Sequence, residues 1–112
     1  MSHELIKRRR MQLMVHSAIY YHFNSNIVSD NTYDGWTQEL VQLHKDFPDY
    51  SDRYDEYFKD WAGETGFHFP KDDHILTIAI GLLETYERKR NQEELAAVAN
   101  KKDTPLGEFF EL

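Results

Sequence analysis

The chain has 112 residues, a formal net charge of −7 and no cysteine. These values exclude a disulfide framework and thiolate metal sites, and the acidic balance argues against general affinity for nucleic acid. The length fits one domain, and 40% apolar residues with 14% aromatic residues are enough for a packed core. No apolar run approaches the roughly 20 residues that span a bilayer, and no signal peptide is recognisable. We therefore expect a cytoplasmic protein without a membrane partner.

A long first helix is predicted over residues 3–24. Its apolar residues fall at helical spacing and form one stripe: Met11, Met14, Val15, Ala18 and Ile19. Tyr21 and His22 follow near the edge of that stripe. The run Lys7–Arg10 fans around the helix, so we expect a solvated basic turn rather than a phosphate-binding patch.

A second helix is predicted over about 30–47, with Ser29 or Asp30 as its cap and Pro48 at its end. Its apolar residues repeat at spacings of three and four: Tyr33, Trp36, Leu40, Leu43 and Phe47. This repeat is typical of an amphipathic helix that packs one face against a neighbour.

A third helix is predicted over about 52–62. Its aromatic stripe is interpreted as core: Tyr54, Tyr57, Phe58 and Trp61. Three acidic residues of the same helix, Asp55, Glu56 and Asp60, are expected to form a solvated face. Residues 67–70 are expected to run extended.

A fourth helix is predicted over about 73–90, capped by Asp72 or Asp73. Its inward face is expected to contain Ile75, Ile78, Ala79, Leu82, Leu83 and Tyr86. A short helix over about 92–99 and a loosely held tail over 101–112 complete the chain. No stretch alternates with a period of two, so we predict an all-α fold: one domain over 1–112, a small bundle of four to five helices.

The start of the second helix carries the clearest chemistry. Asp30, Tyr33 and Asp34 occupy positions i, i+3 and i+4, which share one face of a helical turn. Tyr21 and His22 would face this turn across a short connection. A flat, cationic, hydroxylated ligand such as a nicotinamide riboside unit suits two carboxylates beside aromatic rings. The alternative is structural: a cap, a helix-dipole partner and ordinary core residues.

Other chemistry finds little support in the sequence. The six histidines lack carboxylates at metal-ligand spacing, the serines lack a nucleophile elbow, and no phosphate-binding loop is present. We therefore expect no metal ion and assign no catalytic residue.

Residues 10–50 resemble a known family. The motif runs from Tyr21-His22 through Ser29-Asp30-x-x-Tyr33-Asp34 and Glu39-Leu40-x-x-Leu43 to Phe47-Pro48. It resembles the N-terminal Ia domain of bacterial NAD-dependent DNA ligases, enzymes of DNA replication and repair. The resemblance implies a helical module that binds NAD through its nicotinamide mononucleotide (NMN) half.

Five residues correspond to that family's NMN contacts by motif match: Tyr21, His22, Asp30, Tyr33 and Asp34. The resemblance implies stacking of an aromatic ring on nicotinamide and polar contacts to ribose and phosphate. The connection between His22 and Asp30 is about one residue shorter than the family's, which could shift the loop.

No lysine stands in the KxDG motif of nucleotidyl transfer, so we expect no ligase activity from this chain alone. The chain resembles small stand-alone ligase-like proteins of phage, in which residues 51–112 are specific to the group. The expected partner is then a separate ligase adenylation subunit, and the location is the host cytoplasm.

Two other functions remain open. The chain could be an acidic phage-type interaction protein that acts on a host ligase or another host protein involved in defence. It could also be an enzyme that cleaves NAD, with Asp30 or Asp34 as a base or electrostatic partner. A continuous acidic surface formed by Asp46, Asp49, Asp52, Asp55, Glu56 and Asp60 would favour the former.

Overall fold

The computed structural model describes residues 2–99, and the predicted tail over 101–112 lies outside them. It contains four helices in the described residues: α1 (Ser2–Tyr21), α2 (Asp30–Asp46), α3 (Asp55–Phe58) and α4 (Asp73–Ala99). Residues 2–99 contain no strand, so the predicted all-α class is confirmed. The chain divides into two compact units, with the boundary between Ile80 and Gly81. None of the four helices combines the length and apolarity needed to cross a membrane.

The pair α1–α2 forms the centre of the first unit. The apolar stripe predicted on α1 is buried at Met14, Val15, Ala18 and Ile19, and Leu40 of α2 is also fully buried. Burial of each of the larger side chains, those of Met14, Val15, Ile19 and Leu40, stabilises the fold by roughly 1.5–3 kcal/mol relative to an exposed position. The 3.6-residue periodicity therefore identifies the face along which the two helices pack.

The connection between α1 and α2 is fixed at both ends. Asn24 has a positive φ of 51°, a conformation that asparagine tolerates better than most residues. The backbone N–H of Ser25 donates to the carbonyl of Ile19 at 3.0 Å, so α1 ends before residue 24. Ser29 is the N-cap of α2, because its Oγ accepts from the backbone N–H of Thr32 at 3.1 Å.

The basic run of α1 is not wholly solvated, because Arg10 is only 5% exposed. Its Nη1 donates to Asp52 Oδ1 at 2.9 Å and to Asp55 Oδ1 at 2.7 Å. Its guanidinium also lies 4.8 Å from the ring centroids of Tyr50 and Phe58. The expected solvated role was therefore wrong for Arg10, since a buried guanidinium requires anionic partners, whereas the side chain of Asp55 keeps 45% of its surface exposed.

Helix α3 spans only four residues instead of the predicted 52–62. The carboxylates of Asp52 and Asp55 accept from the backbone N–H groups of Tyr54 and Asp52, at 2.8 and 3.0 Å. These bonds hold residues 52–54 in a loop, because they replace the helical hydrogen bonds of the first turn. Tyr54 and Phe58 of the aromatic stripe are buried as predicted.

Residues 67–70 form a turn rather than the predicted extended segment. The backbone N–H of Phe69 donates to the carbonyl of Gly66 at 3.1 Å. The turn directs Phe69 into the core, where its ring centroid lies 4.9 Å from that of Phe58. Burial of this ring favours the turn over an extended chain.

Helix α4 runs without interruption to Ala99 instead of ending near residue 90. Asp72 Oδ1 accepts from the backbone N–H of Ile75 at 2.9 Å and caps it. Ile75 and Ala79 are buried as predicted, whereas Leu82 and Tyr86 are each 39% exposed. Their predicted inward positions were wrong, because no described side chain between residues 81 and 98 is buried.

Candidate functional site

A cleft of about 350 Å³ opens in the first unit between α1, α2 and a loop over 62–66. Four residues that the sequence singled out line it: Tyr21, Asp30, Tyr33 and Asp34. The fifth, His22, is not among the lining residues. Its exposed ring lies edge-on to Phe23, with the ring centroids 4.8 Å apart. The structure therefore brings four of the five candidate residues together.

Tyr33 joins the two helices at the wall of the cleft. Its hydroxyl lies 2.7 Å from the Oγ of Ser17, a side chain that is 2% exposed. Burial raises the pKa of Tyr33, although the hydrogen bond from Ser17 opposes this shift. Tyr33 is therefore a neutral phenol at physiological pH, with its ring position fixed by a buried bond.

Two exposed aromatic rings line the cleft, those of Tyr20 and Tyr21, which are 56% and 40% exposed. A third exposed ring, that of Phe67, packs against Tyr21 and is 65% exposed. The ring of Tyr21 meets those of Tyr20 and Phe67 edge-on, at centroid distances of 4.8 and 5.2 Å. The Tyr21 hydroxyl lies 2.7 Å from Thr65 Oγ1, which ties this ring to the loop. Exposed rings at the mouth of a cavity suit a planar ligand.

The loop over 62–66 forms the third wall of the cleft, beside α1 and α2, and the sequence did not predict it. Gly63 has a φ of +98°, a conformation that other residues rarely adopt. A Cβ on Gly66 would overlap Ser17 Oγ and lie 2.7 Å from the Tyr33 hydroxyl. Only glycine therefore lets the loop approach the helix pair this closely. The two glycines were visible in the sequence, but they indicated only a turn.

The cleft is negatively charged. Carboxylates of Asp30, Asp34 and Glu64 line it, and no lysine or arginine lies among its described lining residues. The backbone N–H of Ala62 donates to Glu64 Oε2 at 2.9 Å. Hydrogen bonds from backbone N–H groups, with that of Ala62 as the largest contribution, lower the pKa of Glu64 and keep its carboxylate ionised. This arrangement favours a cation over an anion as ligand.

His16 and Thr37 also line the cleft, and each holds a buried polar atom without a hydrogen-bond partner. The atoms are His16 Nδ1 and Thr37 Oγ1. Burial lowers the pKa of His16, so its ring is neutral at physiological pH. Sequence reasoning missed both residues. Thr37 could have been identified from the sequence, because it is a polar residue four positions after Tyr33 on the apolar face of α2.

A second cavity, of about 560 Å³, lies beside Arg10. Arg10 Nε donates to His44 Nε2 at 3.1 Å. Burial lowers the pKa of His44 to about 4, and the charge of Arg10 acts in the same direction. Since Arg10 also pairs with Asp52 and Asp55, its polar contacts in the described structure are internal. These internal contacts indicate that the cluster around Arg10 stabilises the fold.

Comparisons of the chain with protein-family models, with curated proteins and with solved structures find no match. Within residues 2–99, no group of three histidine or acidic side chains is placed to hold a metal ion.

Proposed function

We propose that the cleft between α1 and α2 binds the nicotinamide mononucleotide part of NAD, and that the chain is a stand-alone module of the DNA-ligase Ia type. One observation carries the proposal: Tyr21, Asp30, Tyr33 and Asp34 line a single cavity. The same four residues belong to the ligase-like motif of residues 10–50. The cavity volume of about 350 Å³ lies in the range of small-ligand sites.

The chemistry of the cleft complements a nicotinamide riboside unit. The positively charged pyridinium ring is attracted to the faces of tyrosine rings and to the carboxylates of Asp30, Asp34 and Glu64. The same carboxylates accept hydrogen bonds from the two ribose hydroxyls. A neutral or anionic aromatic ring would not be attracted to the carboxylates, although its binding would still remove them from water at a cost in free energy.

The charge of the cleft also constrains the phosphate of NMN. Because the described lining residues include no lysine or arginine, the phosphate is best placed outside the cleft, in water. A separate ligase adenylation subunit would supply the contacts to the adenylate half of NAD. Affinity of the isolated module should then be weak, with a Kd of about tens of micromolar to millimolar.

The alternative of an acidic interaction surface has less support. Asp52 and Asp55, two of its six residues, are paired with Arg10 inside the fold. They are therefore less well placed to attract a basic partner, since the guanidinium offsets one of their two negative charges. The structure offers no corresponding reason to exclude ligand binding at the cleft.

Calorimetric titration with NMN tests the proposal. We expect saturable binding to the natural protein, with strong loss in Tyr33→Ala and Asp34→Asn. Asp46→Asn is the matched control, because Asp46 is an exposed carboxylate at the other end of α2. Absence of heat at about 5 mM NMN, or equal loss in the control, would contradict the proposal.

A further inference from the structure

We propose that the cleft between α1 and α2 is also a docking site for a basic segment of a protein partner, which inserts an arginine side chain among the carboxylates of Asp30, Asp34 and Glu64. This inference does not rest on the proposed function, since it requires neither a nucleotide nor the ligase-like motif. It assigns a partner to the charge of the cleft and to the exposed aromatic rings beside it.

The three carboxylates of the cleft are open to a partner. Asp30, Asp34 and Glu64 are exposed, and among residues 2–99 none of them forms an ion pair with a lysine or arginine. Asp52 and Asp55, by contrast, already have a cationic partner inside the fold. Because like charges around one cavity repel each other, a cation that enters the cleft is attracted by all three carboxylates.

An arginine side chain suits this cleft better than a lysine side chain. The guanidinium is planar, carries five N–H donors and is weakly hydrated, so it can pair with carboxylates and stack on an aromatic ring at the same time. Tyr20, Tyr21 and Tyr33 provide aromatic rings along the same lining. A lysine ammonium is more strongly hydrated and has no flat surface to stack. The anchor of the partner is therefore expected to be arginine.

The aromatic rings extend beyond the cavity, which favours a protein segment over a small cation. Phe67 is not a lining residue, yet its ring is largely exposed and packs edge-on to that of Tyr21. This ring already contacts a cation of the chain, because Lys71 Nζ lies 5.4 Å from its centroid. A small cation in the cleft would leave Phe67 in water, whereas a peptide that continues on both sides of the arginine can cover it. Tyrosine and phenylalanine are enriched at the contact surfaces of protein complexes for this reason.

NMR titration with a blocked pentapeptide tests the docking site. The peptide has a central arginine with leucine and then glycine on each side, and its matched control has citrulline instead of arginine. Citrulline keeps the shape of the side chain but removes its charge. We expect a Kd of about 0.1–1 mM for the arginine peptide and a loss of about tenfold or more with citrulline. Arginine alone, blocked at both ends, should bind at least about threefold more weakly than the peptide.

Variants separate the charge of the cleft from the ring beside it. Asp34→Asn and Glu64→Gln should each weaken binding of the arginine peptide about three- to tenfold. Phe67→Ser should weaken binding of the peptide but not of blocked arginine, since only the peptide reaches this ring. Glu84→Gln and Tyr86→Ser, at exposed positions of α4, are the controls. Thermal unfolding of each variant checks that it is folded.

The outcomes distinguish this proposal from the proposed function. Absence of saturable shifts at about 5 mM peptide, or equal affinity for the arginine and citrulline peptides, would overturn the docking site whether or not NMN binds. Equal affinity for the peptide and for blocked arginine would also overturn it, because the site would then take a small cation. Arginine-selective binding of the peptide without any binding of NMN would support the docking site and overturn the proposed function. If both bind, they should compete, and simultaneous binding would place the peptide outside the cleft and overturn the docking site.

Discussion

The Tyr33 hydroxyl lies 2.7 Å from Ser17 Oγ, and this partly buried hydrogen bond joins α2 to α1 at the wall of the cleft. Gly66 of the third wall packs directly against both atoms. The cleft therefore depends on three residues that are far apart in the sequence. Changes at any of them should alter stability and cavity shape together.

Tyr33→Phe should lower the free energy of unfolding by about 1 kcal/mol, because it leaves the buried hydroxyl of Ser17 without a partner. Chemical denaturation measures this change. The double variant with Ser17→Ala should be less destabilised than the sum of the single variants, as expected for coupled residues. Tyr86→Phe, at an exposed position, should have almost no effect. Additive effects would show that the bond does not form in solution.

Gly66→Ala should destabilise the protein by about 1–3 kcal/mol, because the added Cβ overlaps Ser17 Oγ and crowds the Tyr33 hydroxyl. The matched control is Gly35→Ala in α2, where a Cβ meets nothing within 4 Å. That change should stabilise the helix by about 0.5–1 kcal/mol. Thermal unfolding of both variants gives the comparison, and equal shifts of Tm would contradict the close approach of the loop.

The helix pair could be predicted from the sequence, and the third wall could not. Periodicity placed Tyr33 and Asp34 on one face of α2, since neighbours within a turn are fixed by local geometry. Gly66 contacts Ser17 across a separation of 49 residues, and no local pattern encodes such a contact. His22 satisfied the motif but does not line the cleft, and it follows the last residue of α1.

Arg10→Met should destabilise the protein by about 1–3 kcal/mol, because it removes the charged hydrogen bonds to Asp52 and Asp55, whose side chains are 22% and 45% exposed. Arg8→Met provides the control within the same basic run, since Arg8 is exposed. It should change stability by less than about 0.5 kcal/mol. Denaturant titration of the two variants tests whether Arg10 has a structural role that Arg8 lacks, and equal effects would contradict that role.

Nothing in the sequence distinguishes Arg10 from its neighbours. Four consecutive basic residues have the same charge, and each lies 100° around the helix axis from the one before it, so the run reaches most sides of the helix. Which of them is buried depends on where the loop that carries Asp52 and Asp55 packs. That loop is held by side-chain to backbone bonds, which helical periodicity does not reveal.

Stability should fall as the pH drops from about 6.5 towards 4. The pKa of His44 is about 4 in the folded protein against an ordinary value of 6.5, so in this range the unfolded chain binds the proton more readily. The slope from one such group is at most about 1.4 kcal/mol per pH unit. Burial of His16 acts in the same direction. The pKa of Asp55 is lowered to about 2, so the unfolded chain binds this proton first and the loss of stability continues below pH 4.

The variant His44→Gln isolates the contribution of that ring. It should reduce the slope of stability against pH between 6.5 and 4 without abolishing it, because His16 remains. His74→Gln is the control, since His74 is exposed at the start of α4. A profile unchanged by His44→Gln would contradict the burial of this imidazole beside Arg10.

Titration of ¹⁵N-labelled protein with NMN, followed by NMR, tests ligand binding at the cleft most directly. We predict saturable shifts at backbone amides on all three walls, at Tyr21, Tyr33 and Gly66, with little change near Arg10. Absence of saturable shifts at about 5 mM NMN would contradict the proposal. Shifts centred on the cavity beside Arg10 would contradict it equally, because they would place the nucleotide outside the cleft.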